Sequence, residues 1–150
     1  MNKELQDKLY SKYPDLFAQK DLPMTVTAMC WGIDTGDGWY DLIDKMCADI
    51  TAYVAAKKAE LGDIFPNIEF FQVKEKFGIL RVYTNYHNEA VDQIVQAAAV
   101  RSRTTCSNCG SPEAKNSHIA HWVHTYCTPC RDEYVRQTGR EQDLDEDDDD

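Results

Sequence analysis

Cys106-Ser107-Asn108-Cys109, followed after seventeen residues by Cys127-Thr128-Pro129-Cys130, is the stretch on which the reading of this 150-residue chain turns. A Cys-x-x-Cys turn brings two sulfurs to one ion and aims backbone N–H groups at them. Two such turns complete the tetrahedron of thiolates that suits Zn²⁺. The intervening segment is long enough for a hairpin. The region therefore reads as a zinc ribbon or treble-clef-like pair of knuckles, with Cys106, Cys109, Cys127 and Cys130 holding one structural Zn²⁺. Four thiolates leave no open coordination position, so the ion is expected to be scaffold and not catalyst.

Other uses of these cysteines need different surroundings. Structural disulfides belong to oxidising compartments, and a thioredoxin-like redox pair needs one activated thiol. The segment Met1-Asn2-Lys3-Glu4-Leu5-Gln6-Asp7 does not read as the start of a secretory leader, and no apolar run approaches a membrane span. A reducing cytoplasm, where thiols bind metal, is the expectation. His118, His121 and His124 lie between the two pairs and are candidate substitutes for a cysteine ligand. Residues 119–126 alternate as a strand entering the second knuckle, which turns His121 and His124 to opposite sides and favours partner-facing or surface imidazoles.

N-terminal to the knuckles, Leu5, Leu9, Tyr10 and Tyr13 recur at helical spacing and Pro14 closes the run. Met24 to Trp31 suggests a short strand. Trp39, Leu42, Ile43, Met46, Cys47, Ile50, Tyr53, Val54 and Leu61 form the stripe of a long helix ending near Gly62, with Asp37 or Gly38 as its cap. Ile68–Val73 and Ile79–Thr84 read as a hairpin joined through Lys74-Glu75-Lys76-Phe77-Gly78, with at least one strand central and covered on both sides. Asn88 is the expected cap of a third helix carrying Val91, Ile94, Val95 and Ala98.

The fold class that follows is α+β: a small antiparallel sheet packed by helices, a C-terminal zinc ribbon and a disordered acidic tail. Its divisions are a core domain over 1–103, a zinc-ribbon module over 104–132, and a short helix or linker with the tail over 133–150.

The net charge of −10 is concentrated at one end, because residues 141–150 hold eight acids and no base. Such a segment repels itself and buries nothing, hence the expectation of disorder. It reads either as a solubiliser or as an interaction tail, Asp147, Asp148, Asp149 and Asp150 included, that meets a basic surface. Residues 101–140 carry six bases against three acids. Four thiolates and one dication lower that balance further, a weak footprint for nucleic acid. Lys74, Lys76 and Arg81 form the best basic cluster of the N-terminal part and a candidate partner-binding site.

Ile33-Asp34-Thr35-Gly36 matches the aspartic-protease tetrapeptide, but only once and directly before a helix, where an Asx turn is the simpler reading. Cys30 and Cys47 lack metal spacing and are expected as core thiols. Trp31, Trp39 and Tyr40 cluster around the glycine turn, as core packing or as the wall of a small pocket.

Taken together, Gly36-Asp37-Gly38-Trp39-Tyr40-Asp41-Leu42, Val73-Lys74-Glu75-Lys76-Phe77-Gly78-Ile79-Leu80-Arg81 and the double Cys-x-x-Cys resemble small uncharacterised proteins encoded by bacteriophages and prophages. The resemblance spans roughly residues 30–130. It implies a phage or prophage origin and a bacterial cytoplasm, and it brings no activity with it. The acidic tail and the histidine-rich segment before Cys127 lie outside the matching pattern.

The functional expectation is a non-enzymatic accessory protein that binds a host or phage protein, with the tail imitating nucleic acid, and with no membrane partner. The sequence assembles no nucleophile with a neighbouring base, no phosphate-cradling loop and no open metal site. Direct nucleic-acid binding through a zinc ribbon using Arg101, Arg103, Lys115, Arg131 and Arg136 is the alternative, and hydrolysis by Asp34 a distant third.

Overall fold

The computed structural model describes residues 1–119 and 121–138, so the acidic tail lies outside the described residues. The fold is α+β, with helices on a small sheet followed by a separate β-hairpin beside the cysteines.

Helix α1 (Lys3–Lys12) begins where the Asn2 side chain accepts a hydrogen bond from the Leu5 N–H, and it ends before Pro14. Its buried face centres on Leu9. The next segment departs from the expected strand at Met24–Trp31. There the Thr27 hydroxyl and the Ala28 N–H both bond to the Phe71 carbonyl, and Thr27 Oγ1 accepts from the Met29 N–H. Side-chain bonds of this kind give the backbone an alternative to a ladder, and a 3-10 turn at Met29–Trp31 results.

The first strand lies just downstream. β1 (Ile33–Asp34) pairs parallel with β2 (Phe70–Lys76), and β2 pairs antiparallel with β3 (Ile79–Thr84), giving a mixed sheet in the order β1-β2-β3. The hairpin connection is shorter than the sequence suggests, because the ladder continues to Lys76 opposite Ile79. Only Phe77 and Gly78 remain, both at positive φ (53° and 77°), as in the tight turns that match strand twist. A register shift between Phe70 and Gln72 resolves the adjacent phenylalanines: Phe70 is fully buried and Phe71 is 38% exposed. β2 is thus central but covered on one side only, which corrects the expectation of two covered faces.

Helix α2 (Tyr40–Leu61) buries Leu42, Ile43, Met46, Cys47 and Ile50. Its 22 residues make a rod of about 33 Å. Its fully buried positions end at Ile50, well before its last turn. Leu61, expected on the buried stripe, is 48% exposed. Helix α3 (Glu89–Ser102) is capped as expected, with Asn88 Oδ1 accepting from the Val91 N–H, and Ser102 at its end accepts the Leu80 N–H of β3. Then come β4 (Lys115–Ile119) and β5 (Trp122–Tyr126), antiparallel, and helix α4 (Thr128–Thr138). The segment read as one strand over 119–126 is the end of this hairpin. Among the described residues no helix is long and apolar enough to cross a membrane.

Candidate metal centre

The first knuckle starts directly after α3. Its backbone closes on itself through Gly110 N–H to the Cys106 carbonyl (2.9 Å) and Cys106 N–H to the Ser111 carbonyl (2.8 Å). Gly110 supplies the positive φ that the tight turn requires. The second pair stands where β5 runs into α4: Cys127 precedes the helix and Cys130 lies in its first turn, with Pro129 where a helix tolerates proline. The hairpin thus carries the chain from one pair of thiols back to the other. A knuckle, a hairpin and a helix start are combined, which is the treble-clef-like form of the two arrangements the spacing allowed.

All four sulfurs lie within 4.8 Å of one another, with Cys109 and Cys127 at 3.6 Å. A tetrahedron with Zn–S bonds of about 2.3 Å has S···S edges of about 3.8 Å, so a small contraction seats the ion. The thiols are free, and the 3.6 Å separation is far beyond a disulfide bond of about 2.05 Å. Cys106 and Cys127 are buried, Cys130 is half-buried and Cys109 is exposed.

Electrostatics favour thiolate at Cys106. Burial alone would raise Cys106, but backbone N–H groups of Cys109, Cys127 and Asn108 aim at its sulfur and bring it down to about 7. Burial raises Cys127, and pushes Cys130 up to about 12 against a hydrogen bond from Asn108 Nδ2 at 3.3 Å. An ion would displace the protons these two hold.

The histidines stand apart from the sulfurs' cluster, which consists of cysteines alone. His124 Nδ1 faces Glu75 Oε1 of β2 at 3.5 Å, and its ring stacks on Tyr126 with centroids 4.8 Å apart. His121 is exposed at the hairpin turn, and His118 lies in β4.

The largest feature missed in the sequence is what the Gly-Asp-Gly turn does. Gly38 N–H donates to the Ser107 carbonyl (2.9 Å), and the Trp39 indole N–H donates to the Thr105 carbonyl (2.8 Å). A Cβ at Gly36 or Gly38 would collide with the backbone of Ser107 or Cys106. These glycines let the first knuckle lie against the entrance of α2. They do not provide its cap. Asp37 accepts instead from the N–H and side-chain amide of Asn2, because α1 starts beside it. The hairpin turn contributes a second contact, with Thr125 Oγ1 donating to the Gly78 carbonyl.

Of the aromatic trio, Trp39 is fully buried, Tyr40 packs partly against the core, and Trp31 is 69% exposed. Cys47 is a core thiol, its pKa raised by burial, which disfavours the thiolate. Cys30 is only half-buried, its thiol donating to the Thr27 carbonyl at 3.4 Å, because the 3-10 turn leaves it at the surface of the core. Asp34 is exposed in β1, opposite Lys74. Lys74 and Arg81 are cross-strand partners, and Lys76 follows on the same side of the hairpin. Asp147, Asp148, Asp149 and Asp150 lie outside the described residues.

Comparison with protein-family models, with curated proteins and with solved structures finds no match to this chain. The four-cysteine cluster, able to hold one metal ion and chemically suited to zinc, stands on geometry alone.

Proposed function

We propose that this is a zinc-binding, non-enzymatic accessory protein of a phage or prophage, acting in the bacterial cytoplasm by binding a host or phage protein. The observation that carries the reading is the convergence of four thiols on one point. A tetrathiolate ion has every position filled and serves as a fastener, holding a surface instead of activating water. The acidic tail supplies the other half of the reading: eight acids in ten residues imitate the charge density of nucleic acid and suit the basic surface of a nucleic-acid enzyme, such as one used in host defence.

The test compares the full chain with one ending at Arg140, each used to retain partners from a bacterial lysate at low salt. Specific retention of a nucleic-acid enzyme, inhibition of that enzyme by the full chain, and loss of both on tail removal are the expected results. Equal affinity for every partner with and without the tail would make the tail a solubiliser and end the proposal.

A further inference from the structure

The side of the sheet turned away from the helices carries a surface unrelated to the tail. Across β2 and β3, Gln72 lies opposite Tyr83, Lys74 opposite Arg81, and Lys76 opposite Ile79. Alternate residues share a face, and Val73, Leu80 and Thr84 are buried on the helix side. The first set therefore stands on the uncovered side. There Lys76 and Arg81 are exposed, Lys74 is half-buried, and Tyr83 is 46% exposed. The bulge at Phe71 adds a second ring at one end, where Phe71 and Tyr83 line a groove with Met24 and Val26.

Beyond the other end, in the hairpin turn, stands Phe77, 68% exposed, with the Lys76 ammonium 5.9 Å from its ring centre and on a cleft that Trp122 also lines. Its φ of 53° is a conformation that glycine or asparagine adopts at lower cost. A phenyl ring there is strained in its backbone and gains little burial, so the fold gives no reason for it.

Charge on this side is also unspent. Lys3, Lys12, Lys20, Lys45, Lys57 and Arg136 have carboxylate partners. Among the described residues, Lys74, Lys76 and Arg81 have none within ion-pair distance, as is also true of Lys8, Lys58, Arg101, Arg103, Lys115 and Arg131, but these three stand together on one face. Asp34, beside Lys74 in β1, is the carboxylate in register with them. A chain of net charge −10 thus keeps a locally cationic face between exposed rings. Cations that track phosphates, interleaved with rings that accept unpaired bases, are what a single strand requires, whereas a duplex hides its base faces.

We propose that the open face of the sheet binds single-stranded nucleic acid, with Lys74, Lys76 and Arg81 on phosphates and Tyr83 and Phe77 stacking on bases. The site belongs to the hairpin of the core and not to the arginines of the zinc module.

The experiment titrates full-length, zinc-loaded protein into fluorescein-labelled oligothymidine of about fifteen nucleotides, following anisotropy from low to moderate salt. Three phosphate contacts give a slope of log K against log salt of about −2, and Arg81→Ala reduces it to about −1.4. Tyr83→Ala weakens binding roughly 5- to 100-fold, while Tyr83→Phe, which keeps the ring, restores it. Zinc content and far-ultraviolet circular dichroism check that each variant is folded, and Phe77→Ala provides an independent stacking variant. The proposal is overturned by any of three results: no binding at low salt, duplex or polyglutamate bound as tightly as the single strand, or affinity indifferent to both Arg81→Ala and Tyr83→Ala.

Discussion

Around α2 and β2, eighteen side chains from Leu9 to Ala98 are buried in one continuous cluster. Among the described residues that follow α3, the buried apolar cluster is Cys106, Ala114 and Cys127, with Ile119 buried outside it, and two of those three are thiols of the four-cysteine group. The first region resembles an ordinary domain in which apolar burial offsets the entropy of ordering the chain. The second is too small for that balance. A hairpin and a three-turn helix around so small a cluster need another source of stability, and an ion held by the four thiols would supply it. The two are nevertheless joined closely, through Gly38, Trp39 and Gly78.

The most severe way to break this comparison is to remove the metal. Structural zinc contributes about 10–16 kcal/mol in small domains, so Cys127→Ser or strong chelation is expected to unfold the C-terminal part. Hydrogen exchange should then accelerate in β4, β5 and α4 while α2 and β2 retain protection. If the protection of α2 collapsed to the same extent, the two regions would be one cooperative unit.

Cutting into the other region tests the converse. Phe70→Ala removes a fully buried ring that meets Phe17 edge-on at 5.2 Å, and about 3–5 kcal/mol of stability should go with it. Urea unfolding measures the loss, and zinc stoichiometry of the folded variant should stay unchanged.

Between these lies the seam. Gly38→Ala places a methyl against the backbone of the first knuckle, at a cost of about 1–3 kcal/mol. Because the strain falls on the knuckle, zinc should be lost to a chelator faster than from the Phe70→Ala variant. Equal release rates would show that the glycine turn does not support the site.

Proton release sharpens the contrast without a mutation. Cys127 and Cys130 hold their protons at pH 7, since burial raises both, so zinc uptake should free at least these two. Metal affinity, and with it the order of the C-terminal part, must rise with pH until the thiols ionise. Calorimetry in buffers of different ionisation enthalpy counts the protons. Zinc binding with no proton release would contradict the raised thiols.

The smallest effect belongs to the core. Asp44 is penalised by its own burial, yet hydrogen bonds from Lys12 and Tyr13 outweigh this and hold its carboxyl below the ordinary range. A depressed carboxyl contributes stability above its unfolded pKa of about 3.9, and that contribution is lost as pH falls through the folded value. Tyr13→Phe removes one of the two donors and should cost about 1 kcal/mol near neutrality. Acid unfolding should become shallower in the variant, and an unchanged acid limb would show that the bond does not act on Asp44.

Much of this architecture could be read locally. The stops at Pro14 and Gly62, the cap at Asn88, the hairpin around Gly78 and the paired thiols are each encoded within a few residues. Where the reading missed, a distant group had intervened. Thr27 and Ala28 were drawn to the Phe71 carbonyl and Asp37 to Asn2, and Leu61 stands beyond the buried part of α2. His124 was directed to Glu75, which no spacing within 118–124 could have indicated.

The amino-acid order alone determined the main helices, the hairpin of the core and the identity of the four sulfurs that converge, because capping, periodicity and Cys-x-x-Cys geometry act over one or two turns of backbone. Tertiary structure alone decided that β1 joins the sheet in parallel, that the glycine turn receives the first knuckle, and that Lys74, Lys76, Arg81 and Tyr83 share one uncovered side. Those outcomes depend on which far-apart segments come within contact distance, and such approaches are settled by packing the whole core.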